Sequence, residues 1–293
     1  MNLMCPARIL LLPGDVGEAA VGDRVAQVYA GTFEAAAGSR LAERLGVRLT
    51  VVPELTQRPD EELQSIADLH RGETVVVLGV DLGFKLPATV EHTGDGWTRL
   101  PSDNEVTLSA YEQAAAKFRD SIPTEPNNTL IDLLAERVGP GARVLEIGSG
   151  TGRDALELER RGFVVRRTDA TKAFIEMMRA DGYAADRLNA LTDDFGGPYD
   201  AVFADAVFLH FERTGLAQVL RKAARSAPVL AFSTREGKGE EWSDRHLDLP
   251  RYFVLWQEDA LRELLASTGW AVQGLQRGEG KLGMWFNVLA TRG

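Results

Sequence analysis

The stretch VLEIGSGTGRD, Val144 to Asp154, places three glycines within five residues directly after an apolar run. Such a loop lets a ligand approach the backbone. A dinucleotide fingerprint needs G-x-G-x-x-G. Here the glycines are Gly148, Gly150 and Gly152, and Arg153 stands where the third glycine of that pattern would fall. The phosphate-loop ending G-K-[ST] is absent as well. Glu146 lies inside the strand just before the loop, where an acid repels a pyrophosphate and suits a cationic group. Seventeen residues after Gly152, Asp169 ends the next strand, FVVRRTD. In a doubly wound sheet these two strand ends sit side by side at the ligand crevice, and an acid there can accept from a ribose diol.

Strand and helix signals continue on both sides. RVLEIG, FVVRRTD, DRLNAL, DAVFADA and PVLAFS read as strands. Between them, Phe174, Met177 and Met178, then Leu216, Val219, Leu220 and Ala223, then Leu261, Leu264 and Leu265 keep helical spacing and are core contacts. WAVQGLQRGEGKLGMWFNVLATR reads as two strands around a glycine-rich turn, so they run antiparallel. The first ~105 residues alternate strand and helix more simply: RILLLPGD, FEAAAGSRLAERLG, VRLTVVP, DEELQSIADLH and ETVVVLGV, with a hairpin expected within the turn-rich EHTGDGWTRLPSDNEVTL. The expected fold class is therefore α/β, with a smaller α/β domain over 1–107 and a larger one over 108–293 that opens on the helix LSAYEQAAAKFRDSI.

Composition narrows the function classes. Of 293 residues, 44% are hydrophobic and 26% charged, as in a soluble globular protein. No apolar run approaches the ~18–20 residues that span a bilayer. The start is read as a buried strand, not a signal peptide. A lone cysteine, Cys5, excludes an internal disulfide and thiolate-rich zinc sites, which fits a reducing cytoplasm. The net charge is −10, and neither half is basic, which argues against a nucleic-acid partner. The histidines His70, His92 and His246 show no metal-ligand spacing with each other, so no metal is expected.

Residues 108–293 resemble the class I S-adenosylmethionine (SAM)-dependent methyltransferases. VLEIGSGTGRD is similar to their first motif, RRTDAT to their second, and YDAVFADAVFLHF to their fourth-strand motif. FSTREGKGEEWSDRHLDLPRYF is similar to the segment after strand five in a small-molecule branch. The resemblance implies a Rossmann-like sheet of seven strands with a final antiparallel hairpin, SAM as cofactor and S-adenosylhomocysteine as product. It implies a cofactor site of Tyr111, Glu146, Gly148, Ser149, Gly150, Gly152, Asp169, Ala170, Asn189, Ala190 and Asp205. Asn189 departs from the acid usual at the adenine amine, yet its carbonyl can accept the same bond without charge.

For the chemistry, His210 in FLHF is the candidate base, since an ordinary histidine titrates near ~6.5. Asp205 and Ala206 are expected to face the methyl group, and Glu236 to orient or deprotonate the acceptor. Phe208, Arg235, Arg251 and Tyr252 are the expected substrate-side positions. The long TREGKGEEWSDRHLDLPRY segment is expected to form a lid; its Arg235, Arg245 and Arg251 with Lys238 hint at an anionic group on the substrate, but Glu240, Glu241 and Asp244 largely offset them. The leading expectation is a methyltransferase for a small metabolite or natural product. A methyltransferase for RNA or protein, and a non-catalytic SAM-binding regulator, are the alternatives. The sequence sets neither acceptor atom nor oligomeric state.

In the first domain, RILLLPGD and GETVVVLGVDLGF resemble the first and last strands of the histidine phosphatase fold. Leu12-Pro13-Gly14 stands where that family has Arg-His-Gly, and Val80 where it has a second histidine. The resemblance thus implies a degenerate domain without phosphatase chemistry.

Overall fold

The computed structural model describes residues 5–15, 21, 24–280 and 283–293. The chain divides into two compact units, Met1–Ser102 and Asp103–Gly293.

The first unit contains β1 (Arg8–Leu12), β2 (Gln27–Ala30), α1 (Ala35–Leu45), β3 (Arg48–Val51), α2 (Pro59–Leu69), β4 (Thr74–Leu78), β5 (Ala88–Thr93) and β6 (Gly96–Leu100). Its strand order is β3-β2-β4-β1-β5-β6. The first four are parallel, and β5–β6 is the expected hairpin. Along β4, Val75 and Val77 pack with Leu63 and Ile66 of α2, while Val76 and Leu78 pack with Leu41 and Ala42 of α1. This alternation buries both faces and gives three layers. Pro13, Gly14, Gly79 and Val80 meet at the ends of β1 and β4, where the Gly79 N–H donates to the Leu12 carbonyl at 3.0 Å.

The second unit opens five residues earlier than the sequence reading placed it, on α3 (Asp103–Ser121), which kinks at Ala114. There follow α4 (Asn128–Arg137), β7 (Arg143–Ile147), α5 (Arg153–Arg160), β8 (Val164–Asp169), α6 (Lys172–Ala180), β9 (Asp186–Arg187) and β10 (Ala201–Ala204). A 3₁₀ turn, Phe208–His210, leads to α7 (Arg213–Ser226), β11 (Val229–Arg235), β12 (Glu240–Ser243), β13 (Arg251–Val254), α8 (Glu258–Ser267), β14 (Trp270–Gly280) and β15 (Gly283–Arg292).

Seven of these strands form one sheet in the order β14-β15-β11-β10-β7-β8-β9. β15 inserts between β14 and β11 and runs against both, while the remaining neighbour pairs are parallel. The order reverses between β7 and β10, and a doubly wound sheet opens its ligand crevice at that switch point. On β7, Leu145 and Ile147 join the core under α7 and α8, and Val144 joins the core under α4 and α5. Strand alternation therefore turns Glu146 toward the side of Val144. Leu216, Val219, Leu220 and Ala223 form the buried stripe of α7. On α6 the stripe is Phe174, Ile175 and Met178, with Met177 only half-buried.

Two expectations change. DRLNAL pairs over only Asp186–Arg187, because the Asn189 side chain accepts from the Leu191 N–H (3.0 Å) and bends the chain. The segment expected as a lid contains a two-stranded ribbon, with Glu240 opposite Val254 and Ser243 opposite Arg251.

Candidate active site

A cavity of about 540 Å³ opens at the carboxyl ends of β7, β8 and β10, within the range usual for small-molecule sites. Its floor is Gly148 to Thr151 of the glycine turn, while Gly152, expected at the cofactor, does not line it. All three glycines take positive φ, +70°, +54° and +80°. A Cβ on Gly148 would stand 2.4 Å from Val207 Cγ2, so β7 and the β10 loop meet there only because glycine has no side chain.

Beneath the turn, the Ser149 hydroxyl donates to Glu146 and accepts from the Thr168 N–H at 3.1 Å. Ser149 thus ties the loop to β7 and β8. Glu146 itself is buried and does not border the cavity. Burial first, then the nearby Asp154, pushes its carboxyl up to about 8. This corrects the expectation that Glu146 faces the ligand's cationic group: it braces the turn from behind.

Asp169 borders the cavity. One carboxylate oxygen accepts from the Gly150 N–H (2.9 Å) and the other from the Thr171 N–H (2.7 Å). Burial raises its pKa, and those two backbone donors oppose the rise. Each oxygen keeps lone-pair capacity for a further donor. Ala170, Asn189 and Ala190 continue the same wall.

Asp205 closes the opposite side through a network the sequence reading missed. Its carboxylate accepts from Asn127 Nδ2 (2.6 Å), Ser233 Oγ (2.7 Å) and Arg153 Nη2 (2.9 Å). Arg153 also pairs with Asp154 at 2.7 Å, and Asn127 Nδ2 bridges to Asn287 Oδ1 at 2.9 Å. Burial and the neighbouring Asp205 push Asp154 up to about 6. Asn127 also caps α4 by accepting from the Leu130 N–H. Arg153 and Asp154, directly behind the glycine turn, carried a local signal. Asn127, Ser233 and Asn287 meet only through the tertiary fold. Ala206, at φ +56°, donates its N–H to Ser233 Oγ (2.8 Å), so this strained residue is held at the cavity edge.

The third wall comes from α3, the 3₁₀ turn and the ribbon. Tyr111 and His210 both border the cavity, with Tyr111 Oη 2.9 Å from His210 Nε2. His210 Nδ1 lies 2.7 Å from the Tyr252 carbonyl. A carbonyl only accepts, so Nδ1 carries the proton and Nε2 accepts from Tyr111. Burial, aided by Arg251 and Arg235, pushes His210 down to about 4. The ring is neutral at neutral pH and a far weaker base than an ordinary histidine. The Tyr252 N–H donates to Thr107 Oγ1 (3.0 Å), which fixes the carbonyl that sets the tautomer.

Four expected positions lie elsewhere. Glu236 does not line the cavity and pairs with Arg277 at 2.9 Å. Phe208 is wholly buried in the core, 5.1 Å from the Phe232 ring centroid, whereas Leu209 and Phe211 beside it reach the cavity. Arg235 faces Glu241 at 2.7 Å and lies over the Phe253 ring, away from the lining. Tyr252 contributes its backbone, while its ring packs in the core. Arg251 does border the cavity, as does Phe253, which the sequence reading did not single out.

No protein-family profile matches the sequence, and no curated protein is similar to it by sequence. Solved structures do share the fold. The Burkholderia thailandensis 1,6-didemethyltoxoflavin-N1-methyltransferase, solved with 1,6-didemethyltoxoflavin and S-adenosylhomocysteine, aligns at 17% identity and a TM-score of 0.53, over 71% of this chain and 97% of its own. The [4+2]-cyclase SpnF aligns at 15% and 0.51, over 66% of this chain and 96% of its own. A Rhodobacter sphaeroides protein provisionally assigned to the Zn-dependent alcohol dehydrogenases aligns at 13% and 0.55, over 66% and 100%. The fold is the Rossmann-like fold of the class I methyltransferases. Its relatives' names span different chemistries, so the reaction has to be argued from the site.

Proposed function

We propose that the protein is a SAM-dependent methyltransferase acting on a small molecule. The observation that carries this reading is one cavity bordered by the left-handed glycine turn, Asp169, and the Arg153–Asp205 pair. These residues fit SAM. The glycines leave the backbone open to close approach, Asp169 suits a ribose diol, and Asn189 with Ala190 lines the adenine side. The Arg153–Asp205 pair stands at the other end of the glycine turn, where the amino-acid part of SAM would lie.

When bound, SAM supplies a methyl group already activated on a sulfonium. The chain then has to hold and align the acceptor. Asp205, Ala206 and Val207 form the edge at which the two reactants would meet. The neutral His210, locked by the Tyr252 carbonyl, acts as a positioning residue that aims the Tyr111 hydroxyl.

A small acceptor is supported by the cavity's size and its aromatic wall of Phe118, Phe174 and Phe253. For residues 1–102 the reading is an accessory unit of degenerate phosphatase type. Leu12, Pro13 and Val80 offer no phospho-accepting group. The test is incubation with methyl-labelled SAM and a panel of small aromatic and aliphatic acceptors. Label in an acceptor together with S-adenosylhomocysteine supports the reading. SAM binding without transfer to any acceptor favours the regulator.

A further inference from the structure

Arg251, on β13, is 5% exposed and borders the cavity. Its Nη1 donates to the Tyr111 hydroxyl at 3.2 Å, and its Nη2 to the Arg245 carbonyl. Its Nε is buried with no hydrogen-bond partner. The guanidinium lies over two rings, 5.4 Å from the Tyr111 centroid and 5.3 Å from that of Phe253. Among the described residues, no carboxylate comes within 4.0 Å of it.

Other arginines of this unit contrast with it. Arg153 sits between Asp154 and Asp205, Arg167 on Glu159, and Arg235 on Glu241. A buried cation without a counter-ion is costly, and two ring faces offset only part of that cost. The Arg251 site therefore has the charge, the burial and the planar donor fork of an anion receptor whose anion comes from outside the chain.

We propose that Arg251 receives a carboxylate on the acceptor substrate. Each Nη carries a second N–H, and that pair can face a carboxylate in bidentate fashion. One guanidinium matches one negative charge, because Arg235 behind Phe253 is already committed to Glu241. Phe253 and Tyr111 favour a planar, apolar body next to that carboxylate. The proposal rests on the cavity being the acceptor site, and it deepens that reading by naming the substrate class.

The probes are benzoate and its neutral isostere benzamide, titrated by calorimetry into the 293-residue chain with and without S-adenosylhomocysteine. Benzoate is expected to bind wild type about tenfold more tightly than benzamide, the worth of one charge-assisted bond. Arg251→Gln is expected to erase that preference and Arg251→Lys to restore part of it. Equal binding of the two probes to wild type, or binding of neither at millimolar concentration, overturns the proposal. So does a preference that survives in Arg251→Gln. The wild-type comparison decides the matter even where a variant fails to fold. Benzoate preference in a protein that does not bind S-adenosylhomocysteine would leave the carboxylate receptor standing and remove the methyltransferase reading.

Discussion

Gly148 is the residue at which the site tolerates least. Its φ of +70° is unfavourable for any side chain, and a methyl group there would strike Val207. Gly148→Ala is expected to destabilise the protein by about 1–3 kcal/mol through backbone strain, with additional loss from the clash. Adding Val207→Ala should recover the clash component and leave the strain. Thermal melts of the single and double variants measure both. At this scale the sequence was legible where a residue type has one physical use. Positive-φ glycines and a strand-end acid are of that kind. It was illegible where direction matters. Phe208 and His210 are two residues apart on one 3₁₀ turn, yet one enters the core and the other borders the cavity. Glu236 and Arg235 found partners, Arg277 and Glu241, that only the folded chain brings near.

At the scale of elements, the ribbon β12–β13 connects the wall of the cavity to α3 through the Thr107–Tyr252 bond. Thr107→Val keeps the shape and removes the acceptor, leaving a buried N–H unpaired. The expected cost is about 1–3 kcal/mol. The expected signature is faster proteolysis between residues 236 and 250, with the rest of the unit unchanged; equal cleavage rates would contradict this role. The parallel strands β7, β10 and β11 were readable because each is a mostly apolar run bounded by turn residues, and β8 because its valines follow a glycine turn and lead to the strand-end Asp169. β12 was not, since Glu240, Glu241 and Trp242 are exposed and only pairing makes them a strand. β2 was missed for brevity: four residues, QVYA, gain their strand character from β3 and β4 on either side.

At the scale of the whole molecule, the buried carboxyls make stability depend on pH. Glu146 is pushed up to about 8 and Asp154 to about 6. Between the ordinary carboxylate range and those values the folded chain binds more protons than the unfolded one, so stability falls as pH rises. His210, pushed down to about 4, acts oppositely, adding stability as pH rises from about 4 to its ordinary value near 6.5. Above that value Glu146 contributes to the decline. Glu146→Gln is therefore expected to melt at a higher temperature than wild type at pH 8, and to flatten the decline between pH 6.5 and 8. A variant with the wild-type slope would show that Glu146 is ionised in the folded protein. Each unit has its own buried core, and among the described residues no helix is long and apolar enough to cross a membrane.

In the proposed cofactor site, the glycine turn and Asp169 hold the nucleoside of SAM. Calorimetric titration of S-adenosylhomocysteine into wild type and Asp169→Ala tests it most directly. Wild type is expected to show saturable one-site binding, and the variant a loss of about tenfold or more, from two charge-assisted bonds to the ribose. Equal affinity in the two proteins, or no binding to wild type, would contradict it.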